Sequence, residues 1–320
     1  MARMRAWRIA LLVVIVSHGV WAQMPGGTSP AGGAVVDQAS LLRDLQTLSS
    51  DAMEGRQVGT AGGALARAYL VERFKASGII PFTAEYLQPV EVVPGRGRAG
   101  PSAGANVVGY IRGTRTADRY LVISAHYDHV GIDNGVIYNG ANDNASGTAA
   151  LLAIARHFVA RRPAHSLIIA AFDAEEVGLV GARAFLRSPP VDRSALALNL
   201  NVDMIGREAE DRLFVVGTRL QPSLRPVIER VAARAPLKLL MGHDDPADRR
   251  GDWTRDSDHY AFIEAGIPGL LFSVEDTAEH HKPTDDYETM TVGFYVRAVT
   301  TIIDVIGEFD RQSIPQSNPQ

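Results

Sequence analysis

The chain of 320 residues contains no cysteine. Disulfides, thiolate metal ligands, a cysteine nucleophile and a lipid-bearing cysteine behind an export signal are therefore excluded. Positive charge is not in excess. Thirty-two Lys and Arg against 36 Asp and Glu leave a formal charge of −4, whereas nucleic-acid binders carry basic patches. The apolar stretch near the start, Ile9 to Val16, is far short of the roughly 20 residues that cross a bilayer. No Gly-x-Ser-x-Gly turn presents a serine, and no His-Glu-x-x-His pair presents a helical zinc site. Internal repeats and a second hydrophobic domain are also missing.

What is present begins with a basic start, Arg3, Arg5 and Arg8, then the short apolar core and the small-residue pattern around Val20-Trp-Ala22. This reads as a cleavable export signal over 1–22, with a periplasmic or secreted mature chain and no stable membrane anchor. Residues 23–36, rich in Gly, Pro and Ser, are expected to be a disordered leader. Residues 37–312 form one domain and 313–320 a flexible tail. Amphipathic helices are expected at Asp37–Leu48, Thr60–Ser77 (ending on Gly78), from Ser146 to the Arg161-Arg-Pro163 stop, at Val177–Leu186, at Pro222–Arg234 and from Val292 onward. Asp51 to Arg56 reads as a polar loop, and Gly242 to Ser257, with Trp253, as a charged, solvated one.

The chemistry lies at the ends of apolar runs. Tyr120-Leu-Val-Ile-Ser-Ala125 leads into His126, Leu167-Ile-Ile-Ala-Ala-Phe172 toward Glu175-Glu176, and Leu196-Ala-Leu-Asn-Leu-Asn-Val202 into Asp203. Such runs separated by helices read as buried parallel strands. Ligands of open α/β sheets bind outside the carboxyl edge, so these residues should converge. Asp143 lies in a turn-rich loop entering a helix, and His281 in a polar loop after the strand 270–274. Two imidazoles and several carboxylates at one rim suit a pair of divalent ions, zinc foremost. Each element also has a plain reading. Glu175-Glu176 would open a helix and complement its dipole, and Asn144-Ala-Ser146 is a chance glycosylation sequon in a tight loop. The other seven histidines, including His129 and His280, receive no ligand role.

These motifs resemble the co-catalytic di-zinc aminopeptidase family, to which aminopeptidase Y belongs and to which glutamate carboxypeptidase and glutaminyl cyclase are related. The likeness is carried by Glu54-Gly-Arg56, His126-Tyr-Asp128, Asp143-Asn-Ala-Ser-Gly147, Phe172-Asp-Ala-Glu-Glu176, Asn201-Val-Asp203, Ser257-Asp-His259 and His281-Lys-Pro-Thr-Asp285. It implies a three-layer α/β sandwich with a mixed, mostly parallel sheet between helices, and no protease-associated insert. It also implies two zinc ions bridged by Asp143, one completed by His126 and Asp203 and the other by Glu176 and His281. Glu175 would be the general base, Asp128 the partner of His126, and a peptide with a free N-terminus the substrate. Members often have tyrosine before the last histidine; here His280 stands there, which leaves the oxyanion donor open. A carboxypeptidase or dipeptidase would need a basic residue in the pocket, with Arg207, Arg249, Arg250 and Arg255 as candidates. Glutaminyl cyclase relatives hold one zinc and do not keep the first histidine. A metal-free binding protein on the same fold is the alternative from another class.

Overall fold

The computed structural model describes residues 35–82, 84–93, 102–247, 251–276 and 278–312. The export signal, all but the end of the leader, and the tail lie outside the described residues. Packing begins one residue sooner than the leader boundary implied, because Val36 is buried in the core. Helix α1 (Gln38–Leu48) starts where the Asp37 carboxylate accepts the Ser40 N–H, and α2 (Ala61–Ser77) where the Thr60 hydroxyl accepts that of Gly63. Gly78, at φ 76°, closes α2 in the left-handed conformation.

Three strands follow: β1 (Ile80–Pro81), β2 (Leu87–Val92) and β3 (Ser102–Ile111). Next come β4 (Thr116–His126), the hairpin β5 (Gly131–Asp133) and β6 (Val136–Tyr138), and α3 (Gly147–Ala160). Beyond these lie β7 (His165–Phe172), α4 (Val180–Arg187), β8 (Leu196–Val202), β9 (Arg212–Val216), α5 (Arg225–Ala232) and β10 (Lys238–Met241). The chain finishes with α6 (His259–Glu264), β11 (Gly269–Ser273) and α7 (Val292–Asp310).

The main sheet runs β1-β3-β7-β4-β8-β11-β9-β10, with β2 also paired to β3. Its centre, β7-β4-β8-β11, is parallel. Antiparallel pairings of β3 with β7 and of β9 with β11 make the sheet mixed. Alternation decides which helix meets which face. Leu121, Ile123 and Ala125 of β4 face one core with α1, α2, α3, α5 and α7. Val122 shares the other with Ile168, Ala170, Phe185 of α4 and Phe262 of α6. The three layers expected from the motifs are present.

Three expectations need correction. The helix expected from Val177 starts at Val180, since Gly178 (φ 109°) and Leu179 (φ 58°) occupy left-handed conformations that no helix continues through. Pro222 to Leu224 is a 3₁₀ turn before α5, not its first turn. Asp51 to Arg56 is a 3₁₀ turn whose last residue points inward, with Arg56 fully buried.

Candidate metal centre

Parallel pairing sets His126 beside Phe172 and Ser124 beside Asn201, so β4, β7 and β8 release their chains at one edge. β11 runs parallel to β8, with Phe272 beside Val202, and the loop bearing His280 and His281 leaves from that edge too. The rim therefore collects every residue that the strand-end pattern singled out.

Two groups of donors form there. In the first, His126 Nε2 lies 3.2 Å from Asp203 Oδ1 and 3.4 Å from Asp143 Oδ1. In the second, His281 Nε2 lies 2.9 Å from Glu176 Oε2 and 3.1 Å from Asp143 Oδ2. Donors held about 2.0–2.1 Å from a tetrahedral zinc stand about 3.3 Å apart, so these separations fit. Asp143 gives one oxygen to each group. The second group also contains His129, whose Nδ1 is 2.7 Å from Glu176 Oε1 and 3.6 Å from Asp143 Oδ2.

His129 is the residue that sequence reasoning missed. It is buried, in the loop that follows His126 and carries Asp128. The available signal was that clustering: a third donor three residues after a strand-end histidine.

Proton affinities reflect this crowding. Burial would raise the Asp143 carboxyl, but the histidines around it outweigh burial and hold it well below 3.8. For Glu176, burial and Asp143 push upward, yet the bonds to His129 and His281 bring it down to about 2. His281 is lifted to about 10 by those to Asp143 and Glu176. Protons shared between imidazoles and carboxylates are those a divalent cation displaces on binding. Glu175 is different. Burial drives it well above the usual carboxylate range, with Asp258, Glu176 and Asp203 adding to the effect and His126 opposing it. It lines the cavity without belonging to either donor group.

Supports behind the donors come from several segments. The Asp128 carboxylate accepts the backbone N–H of Glu175 at 3.0 Å and of Glu176 at 3.4 Å. These glutamates sit on a turn before α4 and not on a helix, so dipole complementarity does not explain them. His126 Nδ1 lies nearer the Asp128 carbonyl (3.1 Å) than its carboxylate (3.7 Å). Asp128 thus holds the histidine mainly through its backbone and the glutamates through its side chain.

The Ser257 hydroxyl donates to Asp203 Oδ2 at 2.7 Å, and Asn201 Nδ2 donates to Ser257 at 2.8 Å. Asp285 accepts the amides of Asn142 and Asp143 and pairs with Arg207, which also pairs with Asp276. The His281 loop is braced to the Asp143 loop in this way. Arg56 lies beneath them, donating to the carbonyls of Leu48, Tyr127, Asn139 and Gly140. Gly55, at φ 64°, lets it enter; a Cβ there would fall 2.4 Å from the Tyr138 carbonyl oxygen. Asn144 is fully buried and donates to the Val202 carbonyl, so the sequon is not offered to solvent.

The cavity over the donors measures about 390 Å³. Met204, Trp253, Leu271 and Val274 line it, with Asp256 and His280. Trp253 belongs to the loop read as solvated. It stacks on the buried His243 at 3.6 Å between ring centres and 2° between planes, which turns the loop into a wall. His280 Nε2 is 3.4 Å from Asp143 Oδ2.

The family model of peptidase family M28 matches residues 106–306. The chain belongs to peptidase family M28. Among M28 relatives, a probable zinc metalloprotease of Pyrenophora tritici-repentis is 30% identical over 217 residues, 57% of this chain and 46% of that protein. A glutamate carboxypeptidase 2 homolog of Caenorhabditis briggsae is 32% identical over 137 residues, 41% of this chain and 16% of that one. The matched stretch thus spans under half of these relatives. The M28 fold is shared with a zinc aminopeptidase from Bacillus subtilis, at TM-score 0.65 and 18% identity over 84% of this chain and 94% of that one. Glutaminyl cyclase of Porphyromonas gingivalis superposes at TM-score 0.71 and 20% identity, over 87% of this chain and all of the other.

Proposed function

We propose that the chain is an exported, zinc-dependent aminopeptidase that removes the N-terminal residue of peptides. The observation that carries this reading is the pair of donor groups sharing Asp143, with Glu175 beside them and outside both. His126, Asp143 and Asp203 would hold one zinc, and Asp143, Glu176 and His281 the other. Zinc bound there supplies Lewis acidity and lowers the pKa of a water to about 7. Glu175, whose proton affinity is raised, accepts the proton of the attacking water and delivers it to the leaving amine. His126 between Asp143 and Asp203 favours two cations over the single zinc of a cyclase.

Selection of the chain end follows from charge. Among the described residues no Lys or Arg lines the cavity, whereas Asp256 and Asp276 do. Arg207 is engaged by Asp276 and Asp285, and Arg255 lies over the Tyr260 ring; Arg249 and Arg250 are outside the described residues. A substrate ammonium is favoured in such a pocket and a substrate carboxylate is not. Export rests on the pattern of residues 1–22. No helix among the described residues is long and apolar enough to cross a membrane.

The test compares amino-blocked with carboxyl-blocked peptides, then strips the protein with a chelator and restores zinc, cobalt or manganese. Cleavage only of peptides with a free amine, lost on stripping and regained with metal, is expected. Glu175→Gln should keep its zinc and lose about 10²–10⁴-fold in kcat. Near-normal turnover in that variant would reject the role of Glu175, and cleavage of amino-blocked peptides would reject the aminopeptidase.

A further inference from the structure

We propose that His129 is a positioning residue for Glu176. Its Nδ1–H donates to Glu176 Oε1, so that Oε2 alone turns toward His281 and Asp143. The inference rests on reading the two donor groups as metal sites, and assigns a task to a histidine outside the expected ligand set.

The geometry separates donating from ligating. His129 Nδ1 stands 2.7 Å from Glu176 Oε1, whereas Glu176 Oε2 is the oxygen 2.9 Å from His281 Nε2. The carboxylate is therefore divided, one oxygen to each histidine. A ligating imidazole passes its other N–H to an acceptor, which fixes the tautomer. His129 Nε2 is buried and has no hydrogen-bond partner. An N–H left in that position would be an orphaned donor, which proteins avoid more strictly than a bare lone pair. The proton accordingly sits on Nδ1, facing Glu176, and Nδ1 has no lone pair for a metal.

The ring is held for this task. A Cβ on Gly140 would lie 2.4 and 2.6 Å from two His129 ring carbons, and Gly140 has φ 54°. The absence of a side chain at 140 is what makes room for the imidazole. On another side the His281 ring meets it edge-on at 5.5 Å. With Oε1 engaged, Glu176 is a one-oxygen ligand in a fixed direction. Without His129, Glu176 can rotate, and the cation of this group is held less tightly than that of the His126 group.

The experiment is zinc titration of the full chain against a competing chelator, with cobalt absorption bands as a second readout, for wild type, His129→Ala and His129→Asn. An asparagine amide places an N–H near the position of Nδ1 and is a poor zinc ligand. His129→Ala is expected to weaken one of two sites about 10–100-fold and leave the other unchanged. His129→Asn should restore zinc affinity to within about threefold and keep the cobalt bands of wild type. Wild-type affinity at both sites in His129→Ala would overturn the proposal. So would a His129→Asn variant as weak as His129→Ala with shifted cobalt bands, since His129 would then be a ligand. Unfolding midpoints of the chelated variants check that each is folded. A wild-type chain that takes up no zinc would sink the metal reading itself, whereas the other outcomes bear on His129 alone.

Discussion

Replacing Arg56 by methionine is the most severe single test of how the centre is supported. The guanidinium is fully buried and donates to four backbone carbonyls at 2.5–2.9 Å, from the end of α1, the loop after β4 and the approach to Asp143. Burial pulls its pKa from 12.5 down to about 10, with Asp143, Asp285, Asp128 and Glu176 counteracting, so it stays charged at neutral pH. Methionine fills much of the volume and leaves the carbonyls of Leu48, Tyr127 and Asn139 bare, while that of Gly140 keeps the Ala145 N–H. At about 2 kcal/mol for each of these orphaned acceptors the loss is about 6 kcal/mol. Relief from holding a buried charge offsets about 3 kcal/mol of this, the equivalent of the pKa depression. A net loss of about 3 kcal/mol remains, which for a domain of this size is a fall in Tm of about 5 °C. Arg56→Lys keeps the charge but not the planar fork and should fall in between. Calorimetry with and without zinc reads both the midpoint and the stabilisation by metal, which should shrink because the bonded carbonyls flank the ligand loops. An Arg56→Met chain within about 1 kcal/mol of wild type would refute the reasoning.

Two further outcomes follow from the same supports. Ser257→Ala removes the donor to Asp203 Oδ2 and should weaken zinc at the His126 group about 10–100-fold in a chelator titration; unchanged affinity would show that Asp203 orients itself. His259 is fully buried, and burial pushes its imidazole down to about 3 from 6.5. Between those values the unfolded chain takes up a proton that the folded chain refuses, so stability is fully present above pH 6.5 and is lost as pH falls toward 3. Chelated protein should therefore melt at falling temperatures as pH drops from 6.5 to 4, and His259→Leu should flatten part of the slope; identical slopes would exclude this histidine as the cause.

Pattern alone was enough for the framework. Continuous apolar runs placed β4, β7 and β8, and period-3.6 hydrophobicity placed α1, α2, α3 and α7, because a residue's water affinity already says whether one face or both faces of an element are covered. Parallel strands share a carboxyl edge, so His126, Asp203, Asp143, Glu175, Glu176 and His281 could be expected at one rim before any coordinates. Composition could likewise exclude a cysteine site. Distances in three dimensions are another matter, since linear order carries no record of which side chains from different loops finally touch. The inward turn of Arg56 depends on carbonyls from three separate segments meeting around it. Trp253 becomes a pocket wall because its ring stacks on His243 and meets the edge of Phe214. His129 joins the centre because Gly140 vacates the space its ring occupies, a fit between positions eleven residues apart that no periodicity encodes. Local chemistry writes the elements, and the packing of loops on one another selects which polar side chains become neighbours.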